Sequence, residues 1–329
     1  MKDRPALFLD GVDSKEDGIL MGNFFKNINR NKALLFMVLP GTIWFFFFSY
    51  LPLAGTIVAF KEYRFSRDGF WASIFRSEWV GWDNFKFLFS TDDAFTITRN
   101  TLLYNLAFIL LGLVFSVLLA IILSELVNRR LSKIYQTGMF LPYFLSWVIV
   151  GYFVFSFLSM DRGLLNQILG WFGMDPIQWY SEAKYWPYIL IIVNLWKSIG
   201  YSSVVYLAAI LGIDKSLYEA AMIDGASKWQ QIRGITIPML TPIMTIMTLL
   251  AVGKIFYADF GLFYQVPRDS GTLYAVTNVI DTYVYRGLMT TGEIGMSAAA
   301  GLYQSVVGFV LVIISNYVVR RVDKDSALF

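Results

Sequence analysis

The sequence has no cysteine and no histidine in 329 residues. That excludes disulfides, thiolate nucleophiles, Cys/His metal centres and any histidine-based triad or proton relay. Charge is scarce too: 16% of the residues are Asp, Glu, Lys or Arg, against roughly 25% in a soluble domain. The chain has no Gly-x-x-x-x-Gly-Lys-Ser/Thr phosphate loop, so ATP, if used, must be bound by another chain. The net charge of +3 is small and forms no broad basic surface of the kind that marks nucleic-acid binding.

What is present is apolar: 57% of the residues are hydrophobic and 18% aromatic. They are blocked into long runs and do not alternate at strand period, which points to helices crossing a bilayer and not to an outer-membrane barrel. A crossing needs about 20 apolar residues, and six stretches qualify, at 33–60, 101–124, 138–160, 186–211, 238–258 and 297–319. Pro40, Pro52 and Pro142 lie in or beside them as expected kinks, since neighbouring helices can satisfy the freed carbonyls. The expected fold is an all-α integral membrane protein: a polar tail at 1–30, then one transmembrane domain at 31–329. The first stretch, 28 residues long with no small-residue cleavage site behind it, reads as a retained anchor.

Basic residues orient the chain. Lys26, Arg30 and Lys32 precede the first span, Arg129, Arg130 and Lys133 fill the second loop, and Arg320, Arg321 and Lys324 follow the last span, so these segments and both termini are expected in the cytoplasm. Lys215, Lys228 and Arg233 add the loop at 212–237 to that side. The segment 61–100 carries six basic and six acidic residues and is placed outside by span parity.

The loop between the fourth and fifth stretches does not look like a plain connection. Glu219, Ala220, Ala221 and Met222 favour helix, Gly225 allows positive φ, and Ala226 to Ile232 suits a second short helix before Pro238 opens the next span. A helix-turn-helix at the membrane face, with Ala220, Ala221, Ile223, Ala226 and Trp229 filling a groove on a soluble partner and Glu219 offering a charge, is one reading. An ordinary interfacial amphipathic helix pair is the other.

Glu219-Ala220-Ala221, then Gly225, then Ile235-x-Ile237-Pro238 resembles the signature of permeases of binding-protein-dependent ABC importers, with Ile237 where that signature has Leu. Beyond it, about residues 30–329 resemble the LplB-like oligosaccharide permeases of the sugar-importing branch. The carriers are Val80-Gly81-Trp82-Asp83-Asn84-Phe85, Asn100-Thr101-Leu102, Phe140-Leu141-Pro142, Asp259 to Pro267, Asp281 to Arg286 and Gly295 to Ser305. The resemblance implies the type I importer permease fold in the cell membrane and no catalysis or cofactor in this chain. It further implies a second permease subunit, two ATPase subunits that carry ATP and Mg, and an extracytoplasmic solute-binding protein, with lipid around the spans. Residues 214–237 would be the coupling loop, with Glu219, Ala220, Ala221, Asp224, Gly225, Ile235 and Pro238 receiving the ATPase stroke.

Polar groups inside spans are the substrate-pathway candidates. Lys197 lies near the middle of the fourth stretch and shares a helical face with Asn194 and Tyr201, with Trp196 at its border. It either lines a wet cavity, where it would suit an acidic sugar, or it snorkels, or it pairs with a carboxylate or with carbonyls freed at a proline kink. Trp147, Tyr257, Asp259, Tyr303 and Gln304 are further candidates, with Asn105, Ser146 and Ser297 beside them, because sugars take aromatic faces and planar polar groups. Trp71, Trp79, Trp82, Phe85, Phe87 and Tyr264 suit either a docking platform for the binding protein or interfacial anchoring. A secondary transporter would show an internal repeat and acidic or histidine relays, and a membrane-bound glycan enzyme would show paired carboxylates; neither pattern is evident.

Overall fold

The computed structural model describes residues 31–86, 90, 92–126 and 128–322. The tail 1–30, with Lys26 and Arg30, lies outside these, as do Phe87 and Lys324. Contacts divide the chain into two units, up to Ile57 and from Val58 onward. In the first, helix α1 (Lys32–Phe45) passes through a π turn at Phe46–Tyr50 into a 3-10 segment, Leu51–Phe60. Its apolar side chains, among them Phe36, Met37, Trp44 and Phe48, are exposed all round, as suits a helix meant for lipid or another chain.

The second unit opens with a two-residue hairpin, β1 (Lys61–Glu62) antiparallel to β2 (Glu78–Trp79), enclosing α2 (Phe70–Arg76). Lys61 is buried there and donates Nζ to the carbonyls of Ile74 (2.8 Å) and Ser77 (3.2 Å), which removes the cost of an unpaired charge. The long helices follow: α3 (Asp92–Ser124), α4 (Arg129–Phe140), α5 (Trp147–Leu158), α6 (Leu164–Trp171) and α7 (Trp186–Leu211). Next come α8 (Lys215–Ile223), α9 (Lys228–Gln231), α10 (Ile237–Val252), α11 (Phe260–Gln265), α12 (Tyr274–Thr277), α13 (Ile280–Arg286) and α14 (Ile294–Val322). Five described helices are long and apolar enough to cross a membrane, or six if one bent pair counts as a span.

Helices α3 and α7 pack along one another as the centre of the unit. Trp186, Leu190, Leu262 and Val150 form a core at one end, and Ala120, Leu123, Tyr206, Leu207 and Leu240 form another at the other end. Gly200 lets the chain of α4 lie directly on α7, because a Cβ there would overlap the Met139 carbonyl.

Two expected spans differ from their stretches. The third, 138–160, is not one helix: α4 and the turn Leu141–Phe144 meet α5 at 99°. Pro142 removes a donor, Leu145 turns extended at ψ 135, and Ser146 starts α5 afresh by capping the Ile149 N–H. The fifth begins earlier and stops sooner than 238–258. Helix α9 runs through a π turn, Ile232–Thr236, straight into α10, which ends at Val252. The π turn resets the carbonyl register ahead of Pro238, whose ring would otherwise meet an i−4 carbonyl.

Candidate functional site

The loop between α7 and α10 is braced chiefly against itself. The Asp214 carboxylate caps α8 by accepting the Ser216 N–H at 2.9 Å, and these bonds hold its pKa below the usual carboxylate range. The chain then reverses at Gly225 (φ 77°), with Ala226 N–H donating to Ala221 O at 2.8 Å. Ser227 and Gln230 form a reciprocal capping box on α9, and Gln231 Nε2 returns to the Ala226 carbonyl at 3.0 Å. The Tyr218 hydroxyl meets Thr236 Oγ1 at 2.9 Å, fixing α8 to the root of α10.

Among the exposed charges of Lys215, Lys228 and Arg233 an apolar set projects: Leu217, Met222, Ile223 (87% exposed) and Trp229 (67% exposed). Glu219, Ala220, Asp224 and Pro238 are exposed beside them, whereas Ala221, Ala226 and Ile235 are half-buried. Leu217, and Met222 as more than a helix former, were absent from the groove-filling set read in the sequence, although both are large exposed apolar residues in a polar loop.

Of the three residues expected on one face of α7, two line a hollow of about 330 Å³ between α3, α7 and α10: Asn194 and Tyr201, joined by Ser198, Ser202 and, from α3, Gly112 and Ser116. The Ser116 hydroxyl is fully buried and, among the described residues, has no hydrogen-bond partner. Such an orphan costs roughly 1–3 kcal/mol.

Lys197 is turned away from this hollow. Its Nζ donates to the Tyr143 carbonyl at 2.7 Å and sits 5.4 and 5.2 Å from the ring centroids of Tyr143 and Trp147. Tyr143 O belongs to the turn that breaks the third span, so the lysine meets a carbonyl freed at the proline kink. Tyr143 stacks on Tyr201 at 4.4 Å and 11°. Trp147 Nε1 donates to Asp259 Oδ2 (2.8 Å), while Asp259 Oδ1 caps α11 by accepting the Gly261 N–H (3.0 Å).

Beyond α10 the backbone leaves the helix for 253–259, and distant side chains satisfy it. Asn105 Nδ2 donates to the carbonyls of Ile255 (2.9 Å) and Tyr257 (3.1 Å), and Gln304 Nε2 donates to Phe256 O (2.7 Å) and Asp281 Oδ2 (3.2 Å). Asp281 Oδ2 also accepts the Ala258 N–H at 2.8 Å; burial pushes the Asp281 carboxyl above its ordinary range, against the pull of these donors. Gln304 is therefore a buried brace, and Tyr303 packs edge-on to Phe256. Tyr257 is partly exposed, with its hydroxyl 2.8 Å from Ser305 Oγ.

After α11 the chain closes through Arg268 N–H to Gln265 O (3.3 Å) and Asp269 N–H to Tyr264 O (3.1 Å), paired bonds that end a helix through a left-handed residue. Glycine usually fills that place. Here Arg268 (φ 56°) and Asp269 (φ 48°) do, at roughly 1–2 kcal/mol each. Asp269 is held by Arg286 Nη1 at 2.7 Å and by the Tyr274 hydroxyl at 3.1 Å. The Arg268 guanidinium instead lies 4.2 Å from the centroid of Phe155. Burial pushes the neighbouring Tyr180 phenol up to about 12, an effect the Arg268 charge lessens.

Residues 112–324 match a family model described as the binding-protein-dependent transport system inner membrane component. The chain is 32% identical over 299 residues to Protein LplB of Bacillus subtilis (strain 168), covering 91% of this chain and 92% of that one. It is also 32% identical over 297 residues to the polygalacturonan/rhamnogalacturonan transport system permease protein YteP of the same organism, covering 90% of each. Among solved structures, a chain of a bacterial ABC transporter involved in the import of the acidic polysaccharide alginate superposes with a TM-score of 0.83 at 34% identity. That match covers 92% of this chain and 99% of the other. The same transporter type in complex with an alginate pentasaccharide-bound periplasmic protein gives 0.82 over 91% and 98%. The family match over residues 112–324 and sequence identity over nearly the whole length of these relatives show that the chain belongs to the family of inner membrane components of binding-protein-dependent transport systems.

Proposed function

We propose that this chain is the permease subunit of an ATP-driven importer of oligosaccharides. It works beside a second permease, accepts its cargo from an extracytoplasmic binding protein and takes its stroke from separate ATPase subunits that hold ATP and Mg. The observation that carries this is the 214–237 loop: a helical pair stiffened by its own hydrogen bonds that exposes Leu217, Met222, Ile223 and Trp229 beside Glu219 and Asp224. A rigid apolar knob suits a groove on a soluble partner and transmits displacement. Its basic residues, like those near both chain ends, support a cytoplasmic side by the positive-inside rule.

Cargo would pass the hollow lined by Asn194, Tyr201 and Ser116. The Asn194 amide and the Tyr201 phenol are suited to sugar hydroxyls. The relatives named for polygalacturonan, rhamnogalacturonan and alginate transport favour a uronate-containing cargo. Reconstitution with candidate ATPases, a second permease and a binding protein tests the reading. ATP hydrolysis should rise when the binding protein is sugar-loaded, and failure to associate with any ATPase would overturn it.

A further inference from the structure

Arg268 is a charged residue in a backbone position that favours glycine, and among the described residues its guanidinium has neither a carboxylate nor a hydrogen-bond partner. It borders a hollow of about 250 Å³ whose other walls are Val148, Gly151 and Tyr152 from one face of α5, Tyr264 and Gln265 from the end of α11, and Asp269 beside Arg268 itself. Gly151 makes the floor possible: any Cβ there would come within 2.7 Å of the Gln265 carbonyl, so only glycine lets α5 and α11 close. Tyr152 is 63% exposed, while Tyr264 is fixed by stacking on Phe260 at 4.9 Å and 17°. The ring of Phe155 fixes the Arg268 head from one side.

We propose that this hollow is a second sugar subsite, separate from the one between α3, α7 and α10, and that Arg268 binds there the carboxylate of a uronate residue. This rests on the oligosaccharide-importer reading and on the membrane orientation above, which puts the hollow on the external side. The guanidinium edge not stacked on Phe155 offers paired N–H donors matched to a carboxylate. Tyr152 offers an aromatic face to the C–H patch of the same ring, and Gln265 offers planar donors and acceptors to its hydroxyls. Lys197 does not serve in this role, because the Tyr143 carbonyl already engages it. Asp269 lines the hollow too, but its charge is offset by Arg286 at 2.7 Å, which leaves Arg268, among the described residues, as the cation without a carboxylate there.

The test uses the full complex in proteoliposomes, with a galacturonate trisaccharide and its fully methyl-esterified form as probes. Arg268→Asn is the main variant because asparagine tolerates positive φ, and Tyr152→Leu is the second. The expected result is that Arg268→Asn lowers uptake of the free acid about tenfold, the scale of one lost charge-assisted hydrogen bond, and changes uptake of the ester less than about twofold. Tyr152→Leu should lower both. Equal loss on acid and ester in Arg268→Asn, or no loss on either, would overturn the subsite. A fall in the affinity of unloaded binding protein for the Arg268→Asn complex would also overturn it, by assigning the guanidinium to a protein contact. If the parent complex imports neither these probes nor any neutral oligosaccharide, the importer reading itself fails, which is distinguishable from failure of the subsite.

Discussion

The 214–237 loop and the 253–281 segment are both excursions from helix, yet they are held in opposite ways. In the loop, caps and turns bond residues within five positions of each other, apart from the Tyr218 contact with Thr236 and an ion pair between Lys228 and Glu125 at 2.8 Å. In the second segment the partners come from far along the chain. Asn105 reaches Ile255 across 150 residues, Asn100 Nδ2 reaches Asn278 O across 178, and Thr101 Oγ1 accepts the Ile280 N–H across 179. A self-contained element that runs on into α10 can move as a body and carry that helix with it; one stitched to α3 and α14 moves only with them.

The largest effect should come from the turn of the loop. Nothing lies within 4 Å of a Cβ built on Gly225, so its role is purely conformational. Gly225→Ile should leave insertion and assembly intact while cutting uptake well over about tenfold, since a β-branched residue resists positive φ. Normal uptake would show that the loop does not need this shape. Next comes Gln304→Ala, which strips partners from the Phe256 carbonyl and the buried Asp281 carboxylate; it should cost roughly 2–3 kcal/mol in thermal unfolding of the purified complex. A cost under about 0.5 kcal/mol would mean the segment is not stitched as described.

Asp281→Asn sharpens the same point through pH. Burial raises the pKa of this carboxyl in the fold, so the folded state disfavours its ionised form. In the parent protein that penalty is present above the raised pKa and is relieved as pH falls through it. The asparagine variant should keep the acceptor oxygen and flatten that dependence in the window between the ordinary carboxylate range and the raised pKa. A steeper profile in the variant would contradict the assignment. The smallest effect is expected from Lys228→Ala: the pair with Glu125 is exposed on both sides (66% and 40%), so its loss should change stability by less than about 1 kcal/mol. A larger loss would mean the loop is anchored to α3 and not self-contained.

The same contrast explains what could be read in the sequence. The helix-turn-helix was legible because its determinants are local: helix formers at Glu219 to Met222, a glycine at Gly225 and a proline at Pro238. The break in the third span was half legible. Pro142 marked a kink, but the 99° turn needed Ser146 to be recognised as a fresh helix cap, a signal that was available. The unwound stretch after Val252 was not legible, because hydropathy continues through Ile255 and Phe256 and the side chains that satisfy the open backbone sit on α3 and α14. The shared face of Asn194, Lys197 and Tyr201 was correct as periodicity. Only the fold could show that the lysine bends toward Tyr143 while its neighbours face the hollow.

That bond between Lys197 and the Tyr143 carbonyl has a mechanical consequence. It ties the elbow of the third crossing to the middle of the fourth at a point where the elbow has no backbone ladder of its own. Under the proposed coupling, a stroke entering through the 214–237 loop would carry the elbow and α7 together or first extract an ammonium group from its carbonyl. In that movement the lysine would act as a shear pin between the elbow and α7.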